Sequence, residues 1–323
     1  MTGNYKSSSD DETRSDSEAW PNRHIKNFEA WRHRQIKNID AGLDRALRRL
    51  NLPLKGLASL DEAMRYSLLG GGKRFRPLLA LAAAEAVGGK AQVAMPLALA
   101  VEMIHAYSLI HDDLPAMDDD DLRRGRPTCH KVFGEGPAIL AGDALLTLAF
   151  ANLAGPDGPT AVRLTQAAAW LARGAGATGM VGGQIMDLAL EQRAGAASAE
   201  EIRAMERLKT GSLMAAALAG GGCLAGGGLT DLSRLWRLGL DLGLAFQIRD
   251  DLLNLSGDPA VTGKAVGSDA ARGKATLPAL MGSAAAEKER TALRRKIMAS
   301  VLTFQTRGRH LAGLIAALDD RQG

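Results

Sequence analysis

Aromatic side chains are scarce in this chain: Phe, Trp and Tyr together make up 4% of its 323 residues. The apolar content, 46% in all, is instead rich in Ala and Leu. Strands favour β-branched and aromatic residues whereas Ala and Leu favour helices, so a β-sandwich or barrel is excluded at the outset. Cysteine is scarcer still. Cys129 and Cys223 stand far apart with no CxxC spacing, which excludes a disulfide framework or a cysteine zinc site and fits a reducing cytoplasm. An excess of one charge is also missing: 40 Lys and Arg face 36 Asp and Glu, so the net charge of +4 describes a mixed surface, with no coat for nucleic acid. Residues 1–20 are nearly free of large apolar side chains and are rich in Ser and Asp, which predicts a disordered leader and no secretion signal, with one folded unit over 21–323. The uncharged stretch 211–230 has the length of a membrane span, but glycine triplets at 220–222 and 226–228 interrupt it. It reads as two packed helix ends with a flexible joint, so no membrane span is expected.

What is present is helical periodicity. Ile25, Phe28, Trp31, Ile36, Ile39, Leu43, Ala46 and Leu50 recur at steps of three to five, the spacing of an amphipathic helix. Similar patterns cover 59–69, 77–88, 93–115, 138–154, 160–192, 199–219, 229–256, 276–282 and 287–318, with Gly and Pro punctuation between them. No strand-like alternation of useful length occurs, and no break is long enough for an interdomain linker. The expected fold is an all-α, single-domain bundle of about ten helices.

Charge is distributed unevenly, and there the chemistry concentrates. Six Asp fall within 112–121, directly after an apolar helix, and Arg123, Arg124 and Arg126 follow at once. Asp112 and Asp113 continue the apolar phase of that helix, so they border a core, where carboxylates about 4 Å apart repel by roughly 4 kcal/mol at an effective dielectric near 20. Such a cluster needs cations. Mg²⁺, held by one or two carboxylates and completed by water and phosphate oxygens, is the natural partner. Pro115 supplies the helix break that would let Asp118 turn back toward Asp112. A second acidic stripe, Gln247, Asp250, Asp251 and Asn254, sits at i, i+3, i+4 and i+7 of a helix whose neighbours are apolar. The two stripes, 138 residues apart, read as opposing walls of one metal and diphosphate cavity.

Basic groups supply the complement. Gly70-Gly71-Gly72-Lys73-Arg74-Phe75-Arg76-Pro77 places Lys73 and Arg76 at the start of a helix, a ready anion site. It is not a Walker loop, because the earlier glycine is missing and Arg74 stands where Ser or Thr would bind Mg²⁺. Gly174 to Gly179 spells GxGxxG, but after helical residues, so no dinucleotide site is expected. His105 lies seven residues before Asp112 on the same face and is read as a ligand contact.

In order along the chain, GGGKRFRP, HDDLPAMDDDDLRRGRPT, GGQIMDL, KTGSL, FQIRDD and GKAVGSD resemble the short-chain trans-prenyl diphosphate synthases, most nearly the bacterial farnesyl type, over roughly 55–285. The resemblance implies an isoprenoid-synthase bundle around a deep central cavity, a cytoplasmic homodimer, and about three Mg²⁺ per site. The implied reaction is head-to-tail condensation of isopentenyl diphosphate with dimethylallyl and geranyl diphosphate to give farnesyl diphosphate. It casts Asp112, Asp118 and Asp250 as metal ligands. Lys73, Arg76, His105 and Arg124 would hold isopentenyl diphosphate, and Arg123, Lys209, Thr210, Gln247 and Lys264 the allylic substrate. Lys209, Thr210 and Gln247 would act in catalysis, with Tyr107 and Ser108 as a chain-length floor. Helix phase alone favours Ser108 over Tyr107 on the Asp112 face. Three features depart from the pattern: Asn254 stands where Asp is usual, the tail is less basic, with Arg321 as an uncertain substitute, and the leader is additional. A geranylgeranyl diphosphate synthase, or a non-catalytic subunit of a prenyl synthase, is the alternative.

Overall fold

The computed structural model describes residues 12–52, 54–154, 161–193, 196–256 and 274–319, with side chains placed from residue 27 onward. Among these residues the chain forms α1 (Glu12–Arg49), α2 (Ala58–Leu68), α3 (Phe75–Ala86), α4 (Met95–Asp112), α5 (Cys129–Phe133), α6 (Glu135–Leu153) and α7 (Ala161–Ala175). These are followed by α8 (Met180–Glu191), α9 (Ala199–Glu206), α10 (Ser212–Leu224), α11 (Leu229–Ser256), α12 (Leu277–Met281), α13 (Ser283–Leu302) and α14 (Arg309–Asp319). The strands Leu122–Arg123 and Arg126–Pro127 form a two-rung hairpin, which the sequence reading did not anticipate. The all-α expectation holds, with more and shorter helices than about ten.

Helix α4 is the central rod. It is apolar nearly all round, with Leu97 through Ile104 buried, and it packs on α3, α6 and α10. By length and composition 91–112 and 135–153 could each cross a membrane, but a helix buried on every face has the same composition. The stretch 211–230 differs from its reading. Gly220, Gly221 and Gly222 lie inside α10, and the break comes only at Ala225 to Gly228. The triplet is there for contact: a Cβ on Gly221 would run into the Ala80 backbone of α3, and one on Gly220 into the Leu97 side chain of α4. The expected helix over 160–192 is likewise two helices, because Gly176 to Gly179 break it. Of the GxGxxG run, Gly174 lets α7 meet Ala216 and Ser212 of α10, so those glycines serve packing.

Helix α1 begins at Glu12, inside the segment read as a disordered leader, and residues 1–11 lie outside the described residues. Glu, Arg and Ala in that run are good helix formers, and a helix can extend without an apolar face when its later turns are docked. Phe28, Trp31, Ile39, Leu43 and Leu47 make that docked face. At the far end of the chain Gln305, in the left-handed region with φ 55°, divides the long helix expected over 287–318 into α13 and α14.

Candidate active site

Helix α4 ends at Asp112, as the proline argument requires. The Asp118 amide donates to the Asp112 carbonyl at 2.8 Å, so the chain curls back and returns Asp118 beside Asp112. Both carboxylates line a cavity of about 550 Å³. Burial raises the Asp112 carboxyl to about 6, with Asp118 adding to the rise and Lys209 opposing it. Asp113 points elsewhere: its carboxylate grips Arg123 through Nε at 2.7 and 3.0 Å. Arg123 is thereby fixed on the cavity wall.

The opposite wall is built around an irregular turn. Between α9 and α10 the chain makes a π-helical turn, Arg207–Gly211, a widened geometry that frequently accompanies functional residues. Two helices press on it. Gly183 of α8 faces the backbone of Leu208 and Lys209, and Gly243 of α11 faces that of Gly211. Neither glycine has room for a Cβ. Gly243→Ala is therefore expected to lower unfolding free energy by about 1–3 kcal/mol, as overpacking does, and to depress turnover by shifting the turn. Urea denaturation and a steady-state assay would check both.

From that turn Lys209 and Thr210 face the cavity. Lys209 Nζ lies 2.5 Å from Asp187 Oδ2 of α8. Thr210 Oγ1 donates to Gln247 Oε1 at 3.2 Å, and Gln247 Nε2 donates to Asp251 Oδ1 at 3.0 Å. Asp250, Asp251 and Asn254 line an adjoining cavity of about 100 Å³ that shares Lys209, Thr210, Gln247 and Lys274 with the larger one. The two acidic stripes are thus opposing walls of one connected space, with Lys209 between them.

A third region is basic. Arg76, on the first turn of α3, and His105 of α4 line the same cavity, with Arg76 Nη1 3.3 Å from His105 Nε2. Burial, then Arg76, Arg124, Arg123 and Arg74, hold the His105 imidazole well below its usual range. His105 is consequently neutral at pH 7. Burial brings the Arg76 guanidinium down to about 10, with Glu102 opposing and Arg124 contributing, and its Nε is buried without a hydrogen-bond partner. Cations gathered with so little counter-charge make an anion site. Arg124, left-handed with φ 55°, donates to the Gly71 carbonyl at 2.7 Å. It is exposed, as is Lys73, and neither lines the cavity. Arg74, buried between Glu102 at 2.7 Å and Asp40 at 2.8 Å, is a structural tie among α1, α3 and α4.

Of the tail pocket, Tyr107 and Ser108 both line the cavity, with Tyr107 only 7% exposed. The helix-phase preference for Ser108 is too strict, since a large ring reaches a face that its Cα does not. Met180, Ile185, Leu188 and Phe246 complete the apolar wall. Lys264 and Arg321 lie outside the described residues. The sequence reading passed over Gln184, Asp187, Glu206 and Lys274, all of which face these cavities. Asp187 was within reach, being part of the quoted GGQIMDL run. Glu206 had a fainter signal, lying one helical turn before Thr210.

Among the described residues no three His, Cys, Asp or Glu side chains gather closely enough to hold a metal ion by themselves. The donors present, paired carboxylates across a cavity with a basic flank, fit a hard cation that takes only one or two carboxylates and completes its shell with diphosphate and water oxygens. Asp112 and Asp118 could hold such an ion on one wall, Asp250 on the other.

The chain is 48% identical over 239 residues, 73% of this chain and 80% of the relative, to the farnesyl diphosphate synthase of Geobacillus stearothermophilus. A solved FPP/GFPP synthase from Zymomonas mobilis superposes with a TM-score of 0.81 at 36% identity, covering 91% of this chain and 99% of that one. The geranyltransferase of Helicobacter pylori, solved with magnesium and isoprenyl diphosphate, gives 0.79 at 28% identity over 90% and 97% of the two chains. The family model described as polyprenyl synthetase matches residues 58–305, which span both acidic walls and the basic flank, and this chain belongs to that family.

Proposed function

We propose that the protein condenses isopentenyl diphosphate with dimethylallyl and then geranyl diphosphate to make farnesyl diphosphate. The observation that carries this reading is the joining, in one cavity, of a carboxylate wall, a basic pocket and apolar side chains, with Tyr107 and Ser108 in the lining. The farnesyl diphosphate synthase at 48% identity supports the same reaction. The magnesium in the Helicobacter structure supports a Mg²⁺ requirement, and we take three ions per site as the working number. Bound at Asp112, Asp118 and Asp250, Mg²⁺ would supply the positive charge that a departing diphosphate demands.

The chain's own residues divide the remaining work. Arg123 and Lys209 present fixed cations to the allylic diphosphate, with Lys264 assigned to the same task, so that negative charge developing on the leaving group meets a preorganised field. Thr210 donates its hydroxyl hydrogen to Gln247, which leaves the Thr210 oxygen lone pairs as the negative end of a dipole available to the allylic cation. Arg76 and His105, with Lys73 and Arg124 at the entrance, bind isopentenyl diphosphate and aim its double bond at that cation. Met180, Leu188 and Phe246 exclude water that would otherwise capture it. The new C–C bond leaves a tertiary cation, and its neighbouring proton goes to the released diphosphate as the double bond forms.

We assign a homodimer in the cytoplasm. Apolar side chains exposed on α6, Ile139 at 42% and Leu140 at 59%, support a covered face, and two buried free thiols support a reducing compartment.

Incubating the purified protein with dimethylallyl and isopentenyl diphosphates should give a Mg²⁺-dependent C15 product by chromatography. A main product of C20 or longer would overturn the farnesyl assignment, and no turnover would point to the non-catalytic subunit.

A further inference from the structure

Glu206, the last residue of α9, has no part in the chemistry above, yet it is 1% exposed and lines the smaller cavity together with Asp250, Asp251 and Asn254. Asp187 has Lys209 as its partner, and Asp251 accepts from Gln247. Glu206 Oε2 is buried and has no hydrogen-bond partner. Burial, then the charge of Asp251 and a hydrogen bond shared with it, then the charges of Glu289 and Asp187, push its carboxyl well up, so that it keeps its proton. A buried carboxyl that shares its proton with a neighbouring carboxylate and leaves one oxygen without a partner is a costly arrangement that a cation would relieve.

The opposite wall suggests what that is. Asn254 puts an amide where the resemblance expects a carboxylate, so α11 by itself offers one negative charge fewer to a cation. Glu206, lining the same cavity, restores it once an arriving cation displaces its proton. We infer that Glu206 is a functional carboxylate of the second acidic wall, one that makes up for Asn254 and draws a divalent cation to the side of the site that holds Asp250. The inference rests on the magnesium reading given above and assigns it a residue from outside both aspartate runs.

The test uses the full chain with dimethylallyl thiolodiphosphate, an allylic diphosphate that resists ionisation, and follows the thermal midpoint as Mg²⁺ is added. Glu206→Gln should raise the half-saturating Mg²⁺ about tenfold, in the range seen when a group supporting a metal site is removed. Its midpoint without Mg²⁺ should stay the same or rise, because a buried carboxyl crowded by Asp251 has gone. Glu206→Met, close in volume and without polar atoms, should behave alike, which guards against a misfolded amide variant. Asn254→Asp placed in the Glu206→Gln protein should bring the Mg²⁺ requirement back to within about twofold of the parent. The inference fails if both Glu206 variants keep the parent's Mg²⁺ requirement, or if Asn254→Asp restores nothing. It also fails if the variants lose stability without Mg²⁺ and leave the Mg²⁺ requirement unchanged, since Glu206 is then structural. If the parent itself shows no Mg²⁺-dependent shift, the magnesium reading falls first, and the two failures are told apart.

Discussion

Lys209→Ala is expected to lower kcat by about 10³-fold with a much smaller change in KM, because a fixed donor aimed at developing charge is worth about 10²–10³ in rate. Lys209 lies on both cavities and acts on carboxylates from two helices, pairing with Asp187 at 2.5 Å and holding down the proton affinity of Asp112. Removing it takes away one cation on the leaving group and leaves the Asp112 side of the site harder to ionise. It also leaves Asp187 unpaired. The side chains of Lys209 and Asp187 are 24% and 10% exposed, so the stability loss should be about 2 kcal/mol, below the 3–5 kcal/mol of a fully buried pair. The two effects separate in the double variant Lys209→Ala with Asp187→Asn. Its thermal midpoint should recover while its kcat remains low. A single variant retaining more than a tenth of the parent's kcat would place Lys209 outside the reaction.

Tyr107→Ala should move the main product from C15 to C20 or longer. The ring is 7% exposed and stands edge-on to His111 with centroids 5.7 Å apart, so it is held in place and cannot simply swing aside for a longer chain. His111 is itself anchored, with Nε2 3.1 Å from the Ile139 carbonyl and its ring in the notch at Gly142 of α6. At about 1.5 Å of rise per residue, five residues place Tyr107 roughly 7 Å beyond Asp112, a distance set by the helix and not by substrate. Truncation deepens the recess along the path a growing prenyl tail takes. In the unliganded protein it also removes buried ring contacts, at about 3 kcal/mol. Chromatography of the prenyl products gives the answer directly. An unchanged C15 distribution would remove Tyr107 from the floor and leave Ser108 as the candidate.

The acidic run from Asp112 to Asp121 and the stripe from Gln247 to Asn254 were legible in the sequence because their spacing is local. A helix converts i, i+3, i+4 into a face without help from the rest of the fold, and Pro115 announces its own break. Arg76 and His105 were legible for the same reason, each on a periodic segment with a defined phase. Lys73 and Arg124 show the limit of that logic. Both sit next to glycine in loops, where no period fixes a direction, and the structure leaves both exposed outside the cavity lining. The glycines of α10 show it too: read along the chain they looked like a joint, and only Ala80 and Leu97 on other helices reveal them as contact surfaces.

The sequence by itself therefore determined the helical class, the two acidic walls and the basic flank, because short-range periodicity and charge spacing carry each of these. It also pointed to the family, through six motifs in order. Only the tertiary structure decided that Lys209 lies on both cavities, that Asp113 is bound to Arg123, and that Glu206 lines the same cavity as Asn254. Those pairings join residues tens of positions apart, and which ones meet depends on how closely helices approach. Here that distance is set by glycines 183, 211 and 243, whose missing side chains bring α8 and α11 onto one widened turn.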